Sequence, residues 1–302
     1  MDRKSTGLKT LPLPFYTRNK VKPQTKAKRV QVSSQAFLRL IIPSERAAFE
    51  NALNRSGIKG LMRIVPLAGV LNDVFLASSG RSKCVVKRFT EWNELKWLAL
   101  NIIAIGSTRF TISGKARMKN EYSINRYLAK RGIKVPKIRY VSAKDRILLE
   151  EYVPGVPLSK FMAGVSERNR LTSAEREFAE ILGETFARIH RAGVAVGDSR
   201  PDNFIRNGNY LYSVDLEQAG KGGDYAWDIA ELLFYSGHYS RLPVLSGGLR
   251  DVVEAFVRGY RRTGDPAILK RAGSAKYMKM FSFWTAAPII LKISKLLKNC
   301  LQ

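Results

Sequence analysis

Apolar residues recur along the chain with two periods, and the period changes near residue 154. Before that point, "IVPLAGVLNDVFLAS" and "KCVVKRF", separated by the polar turn "SGRS", predict consecutive antiparallel strands. "IKVPKIRYVSAKDRILLEEYVPG" predicts two more, stopped by Pro154-Gly155. Helical patterns lie around and between them. "IIPSERAAFENALNRSGIKG" carries Ser44 as a cap, Glu45 in the first turn, Ala48, Phe49 and Leu53 on one face, and Gly57 at the end. "TEWNELKWLALNIIAIG" follows Phe89, and "KARMKNEYSINRYLAKRG" places Tyr122, Tyr127 and Leu128 at apolar positions before Gly132. After residue 154, "SAEREFAEILGETFARIHRAG" predicts a long amphipathic helix from Ser173 to Gly193. "NFIRNGNYLYSVDL" predicts a hairpin on Asn207-Gly208. From about 224 onward the pattern is helical, and no internal repeat is evident. The expected class is α+β: a basic arm over 1–30, a helical extension over 31–61, a strand-rich unit over 62–153 and a helix-rich unit over 154–302.

Composition bounds the chemistry. The chain has 302 residues and is 45% hydrophobic, values of a globular protein. Its two cysteines, Cys84 and Cys300, provide no disulfide framework, and Cys84 sits in an apolar run where a buried thiol is expected. A reducing, cytoplasmic setting follows. Two histidines and two cysteines nearly exclude a His/Cys zinc site. The net charge of +27 points to an anionic partner, such as RNA or the ribosome, although excess Lys and Arg also serve solubility. The basic N-terminus has no continuous apolar core and does not read as a secretory signal. "MFSFWTAAPIILKISKLL" is interrupted by Pro288 and by lysines, so a buried or amphipathic helix is expected there, with membrane-surface contact as the lesser alternative to it and no transmembrane span.

The chemistry-bearing residues form an ordered set: Lys87 in "VVKRF", Glu121 in "RMKNEYSI", Asp198 and Asn203 in "GDSRPDNF", and Asp215 in "VDLE". A strand lysine, a helix glutamate, a loop aspartate with an asparagine five positions later, and a strand-end aspartate are a kinase arrangement. Phosphoryl transfer is mostly positioning and charge neutralisation. Lys87 suits the α- and β-phosphates of ATP, with Glu121 fixing it, and Asn203 and Asp215 offer hard oxygens to Mg²⁺. Asp198 suits the attacking hydroxyl.

With "EYSINRYLAKRGIKVPKI", "LLEEYVPGVPL", "IHRAGVAVGDSRPDNF" and "YSVDLEQA" in order, the chain resembles the protein-kinase-like superfamily over about residues 62–240. The closest resemblance is to the RIO kinases and to the small kinase accompanying the tRNA threonylcarbamoyladenosine machinery. It implies a bilobal fold with ATP in the cleft. It implies a hinge over "EEYV", with Glu151, Tyr152 and Val153 meeting adenine, phosphate-loop positions at Gly69 and Val74, and Asp228 as a structural anchor beneath the catalytic loop. Val196 stands where the family has His, and His190 is expected to be structural. The glycine-rich loop is poor, and "DLE" with "GDYAWDIAEL" is similar to the aminoglycoside and choline kinases.

Individually these residues have plainer readings: a strand-edge lysine, a solvated helix glutamate, turn aspartates. Arg200 and Asp202 read as loop residues or surface ion pairs, and Asp224 as a turn or cap. Glu217 stays open between a further metal-shell oxygen and an outward polar side chain. Trp92 and Trp97 read as core, with a partner-binding insertion over 90–117 as the alternative. Three functions follow. The leading expectation is an atypical serine/threonine kinase acting on protein hydroxyls or itself. The second is a small-molecule phosphotransferase, ranked lower because the late C-terminal segment looks too short to enclose a substrate. The third is a nucleic-acid-associated adaptor that binds ATP without transferring phosphate.

Overall fold

The structure, a computed structural model, describes residues 52–55, 63–67, 72–91, 111, 113–240 and 244–299. The basic arm, most of the 31–61 extension, Gly69, Trp92, Trp97 and Cys300 lie outside the described residues.

Strands β1 (Arg63–Leu67), β2 (Asp73–Ser79) and β3 (Ser82–Arg88) form an antiparallel meander. Gly80 turns the β2–β3 hairpin with a φ of 56°, a conformation costly for any residue with a Cβ. Helix α1 (Gly114–Ala129) follows, then β4 (Ile138–Ser142) and β5 (Ile147–Glu151). The sheet order is β1-β2-β3-β5-β4, antiparallel as expected, with the single stretch "IVPLAGVLNDVFLAS" supplying both β1 and β2. Alternation along β3 sorts its side chains. Cys84 and Val86 enter a core with Leu53, Ile64, Ala77, Ile147 and Leu149, while Val85 and Lys87 face the cleft beside Glu150 of β5. Burial pushes the Cys84 thiol up to about 11, in keeping with a structural residue.

The helical half begins at β6 (Val156–Pro157) with α2 (Leu158–Arg168) and α3 (Ser173–Arg191). Thr172, one residue before the predicted start, caps α3 in a reciprocal capping box with Glu175. Next come β7 (Val194–Ala195), a 3₁₀ turn at Pro201–Asn203, and the hairpin β8 (Phe204–Asn207) and β9 (Tyr210–Ser213) on Asn207-Gly208. Strand β10 (Gly220–Lys221) pairs back to β7.

Five helices close the chain: α4 (Tyr225–Ser236), α5 (Gly247–Arg261), α6 (Pro266–Ala272), α7 (Ala275–Phe281) and α8 (Ala287–Lys298). Helices α3 and α5 pack closely because glycine permits it. A Cβ on Gly259 would stand 1.9 Å from the Glu180 carbonyl oxygen. Phe178, Leu182 and Phe186 of α3 and Phe256 and Tyr260 of α5 fill the interior. Among the described residues no helix is long and apolar enough to cross a membrane. Helix α8 is the amphipathic helix expected in the late segment, with Ile289, Ile290, Ile293 and Leu297 buried.

Candidate active site

A cleft of about 660 Å³ lies between the five-stranded sheet and the helical half. Lys87, Asp198, Asn203 and Asp215 all line it, as do Val74 and the hinge residues Glu151, Tyr152 and Val153. Four separate stretches of sequence thus meet in one concavity of the size that small ligands occupy.

Strand β3 aims Lys87 inward, and its Nζ lies 3.0 Å from Glu121 Oε1 on α1. Glu121 Oε2 accepts a hydrogen bond from the Leu216 amide at 2.6 Å, so one carboxylate ties the lysine, the helix and the segment after Asp215 together. Lys87 also contacts Glu150 Oε1 at 2.9 Å and donates to the Val214 carbonyl at 2.5 Å. Glu150 Oε2 is buried with no partner among the described residues. Burial disfavours charge on Lys87, but the carboxylates of Glu121, Glu150 and Asp215 outweigh it and keep the ammonium protonated. Burial raises the Glu150 carboxyl above its usual range, with Lys87 opposing it.

The loop over residues 196–203 is held by buried acids from α4. Asp228 accepts from the amides of Val196 at 2.7 Å and Gly197 at 2.9 Å, and its Oδ2 meets His190 Nε2 at 3.1 Å. His190 Nδ1 pairs with the Tyr260 hydroxyl at 2.9 Å. The Val196 side chain is buried in the core, while a histidine from the preceding helix reaches Asp228. Gly197, at a φ of 79°, could carry no Cβ without meeting the Gln218 carbonyl at 2.4 Å. Glu231 accepts from the Ser199 amide at 2.6 Å.

At the loop's centre Arg200 grips Asp198 with two parallel bonds, Nε to Oδ1 at 2.8 Å and Nη2 to Oδ2 at 2.7 Å. Burial would raise the Asp198 pKa, but Arg200 and the loop hydrogen bonds outweigh it and hold the carboxyl below its usual value. Asn203 Nδ2 donates to the Asp198 carbonyl at 3.0 Å, which turns its Oδ1 away from that bond and toward use as a metal ligand. The Val214 amide donates to the Asn203 carbonyl at 3.0 Å, closing the base of the β8–β9 hairpin and bringing Asn203 and Asp215 to one end. One amide oxygen and one carboxylate, beside a lysine in a cleft, fit a Mg²⁺ ion that draws further ligands from phosphates and water.

Of the plainer readings, those of Glu217 and Asp224 need correction. Arg200 is a part-exposed loop residue whose ion pair is with Asp198. Glu217 does not point outward. It is buried, accepts from Asn72 Nδ2 at 2.5 Å and Arg117 Nη1 at 3.1 Å, and burial pushes its carboxyl up to about 7. Asp202 is exposed at the cleft mouth within the 3₁₀ turn. Asp224 sits before α4 without capping it and instead accepts from the Tyr277 hydroxyl at 2.5 Å. Sequence reasoning missed Arg117, Asn72 and the Glu150 side chain. For Glu150 the strand period was the available signal, since it opposes Val85 on the cleft-facing side. The Glu151 amide donates to the Lys137 carbonyl at 2.9 Å, so an adenine contact at Glu151 falls to its carbonyl.

No family model and no curated protein matches the chain. Among solved structures it is similar to WaaP in complex with acyl carrier protein, with a TM-score of 0.49 and 17% identity over 84% of this chain and 96% of that one. A candidate aminoglycoside phosphotransferase from Ralstonia eutropha JMP134 gives 0.47 and 12% over 84% and 98%. A microcompartment-associated aminopropanol kinase gives 0.42 and 14% over 84% and 97%. The narrower resemblance to RIO kinases and to the tRNA-modification kinase finds no support in these matches. The chain has an α+β, kinase-like fold, with an antiparallel sheet before a helical body and Lys87, Glu121, Asp198, Asn203 and Asp215 gathered where the two meet.

Proposed function

We propose that the chain is an ATP- and Mg²⁺-dependent phosphotransferase acting on a hydroxyl of a small, non-protein acceptor. The observation that carries the choice of acceptor is the brevity of the path from Asp215 to α4. Residues 216–224 join them, and within that path Gly220–Lys221 pairs against Val194–Ala195. Protein kinases carry a long activation segment there. This path is short and already paired, and supports an acceptor held by cleft walls over an extended peptide docked on a platform. Tyr235 of α4 and Asp202 line the cleft beside Asp198 and are candidates for such walls.

In this reading Lys87, positioned by Glu121, holds the α- and β-phosphates, and the backbone of Glu151–Val153 meets adenine. Asn203 and Asp215 would hold Mg²⁺, which neutralises charge on the transferred phosphoryl group. Asp198 accepts or orients the proton of the attacking hydroxyl. Arg200, which holds Asp198 in line, stands ready to offer its charge to the phosphoryl oxygens.

A labelled-ATP assay tests the acceptor class. Amino sugars, amino alcohols and neutral sugars are compared with an acidic protein and with the chain itself. Transfer to members of the small-molecule panel is expected. Transfer confined to serine or threonine of proteins would return the assignment to a protein kinase.

A further inference from the structure

The turn between α7 and α8 presents an apolar surface far larger than a stray side chain. Phe283 is 62% exposed and Leu291 57%. Ala286, Ala287 and Pro288 are exposed between them. Half-buried Trp284 packs edge-on against Phe283, with ring centroids 5.1 Å apart. Helix α8 is already anchored by its inner face, where Ile289, Ile290, Ile293 and Leu297 are buried, so Leu291 adds nothing to the core. Several exposed apolar side chains within nine residues point to an interaction site.

Charge selects the partner. Residues 266–302 contain seven Lys and Arg and no Asp or Glu. Lys279, Lys292, Lys295 and Lys298 are exposed around the apolar turn. An aromatic pair and a leucine ringed by lysines is the composition of an interfacial segment, in which apolar groups enter the acyl boundary and cations meet headgroups. RNA would use the lysines and stack on Phe283, but it would leave the aliphatic Leu291, Ala287 and Pro288 in water. We infer that this surface, centred on Phe283 and Leu291, seats the protein on an anionic lipid bilayer.

Tyr235 lines the cleft, and two residues later Gly237 packs so closely on α8 that an added Cβ would lie 2.7 Å from Ile289. His238 Nδ1 lies 3.3 Å from the Trp284 carbonyl. The inner face of α8, opposite the exposed Leu291, therefore packs beside the end of α4, from which Tyr235 lines the cleft.

The test uses the full chain in co-sedimentation with phosphatidylcholine vesicles, with and without phosphatidylglycerol. Binding to the phosphatidylglycerol vesicles is expected, and the charge-neutral double variant Phe283→Ser/Leu291→Ser weakens it about tenfold or more. Lys292→Gln/Lys295→Gln weakens it too, whereas single-stranded RNA binding is unchanged by the serine pair. Tryptophan fluorescence of the unaltered protein is quenched by brominated phosphatidylglycerol vesicles. The inference is overturned if the anionic vesicles are not bound, if no quenching occurs, or if the serine pair binds vesicles as tightly as the parent. It is also overturned, in favour of RNA, if the serine pair lowers RNA binding while leaving vesicle binding intact.

Discussion

The Glu150 carboxylate lies 2.9 Å from the Lys87 ammonium, which Glu121 also holds at 3.0 Å. An ammonium has three donors, and the third goes to the Val214 carbonyl at 2.5 Å. Lys87 is saturated, so phosphate must displace one of these partners. Of its two carboxylate partners, Glu150 is the one not tied to the Leu216 amide. Glu150→Gln removes a negative charge facing the triphosphate and is expected to tighten ATP binding by about tenfold, read by calorimetry. A weaker affinity would show that Glu150 helps to bind nucleotide.

Asp228 gathers two backbone amides of the 196–203 loop and the His190 imidazole in a fully buried site. Asp228→Ala leaves all of them without an acceptor. Denaturant unfolding should show a loss of about 3 kcal/mol or more. A loss under about 1 kcal/mol would mean that the loop is held by other contacts.

Glu231 is buried beside Asp198 and Asp228, and burial first, then repulsion from these acids, pushes its carboxyl up to about 8 from 4.5. The folded chain then retains a proton that the unfolded chain releases above about pH 4.5. Stability from this group is fully present below that value and is lost as pH rises through about 8. Unfolding free energies measured from pH 5 to 8 should decline, and Glu231→Gln should flatten the decline. An unchanged slope in the variant would assign the effect elsewhere.

The elements that position the site were legible because their signals are local. Strand alternation puts Lys87 on the face opposite Cys84 and Val86, and Asn207-Gly208 sets the hairpin that joins Asn203 to Asp215. The spacing of Asp198 and Asn203 is likewise a property of one loop. Partner choice was not legible. Glu217 meets Asn72 across 145 positions and Arg117 across 100, and no periodicity reports which buried acid meets which base. Arg200 lay in plain view two residues from Asp198, but a neighbouring arginine most often faces solvent, and only the folded loop turns it back. The close packing of the C-terminal helices through Gly237 and Gly259 depends on glycines unremarkable in sequence.

In the proposed function Asp198 serves phosphoryl transfer in the cleft lined by Lys87, Asn203 and Asp215. The direct measurement is labelled-phosphate transfer from ATP by the parent chain and by Asp198→Ala, with ATP affinity measured on both. Transfer by the parent is expected, with a fall of about 10²-fold or more in the variant and ATP affinity within about threefold of the parent. A parent chain that binds Mg-ATP yet transfers no phosphate to water, itself or any acceptor, or a variant as active as the parent, would contradict that function.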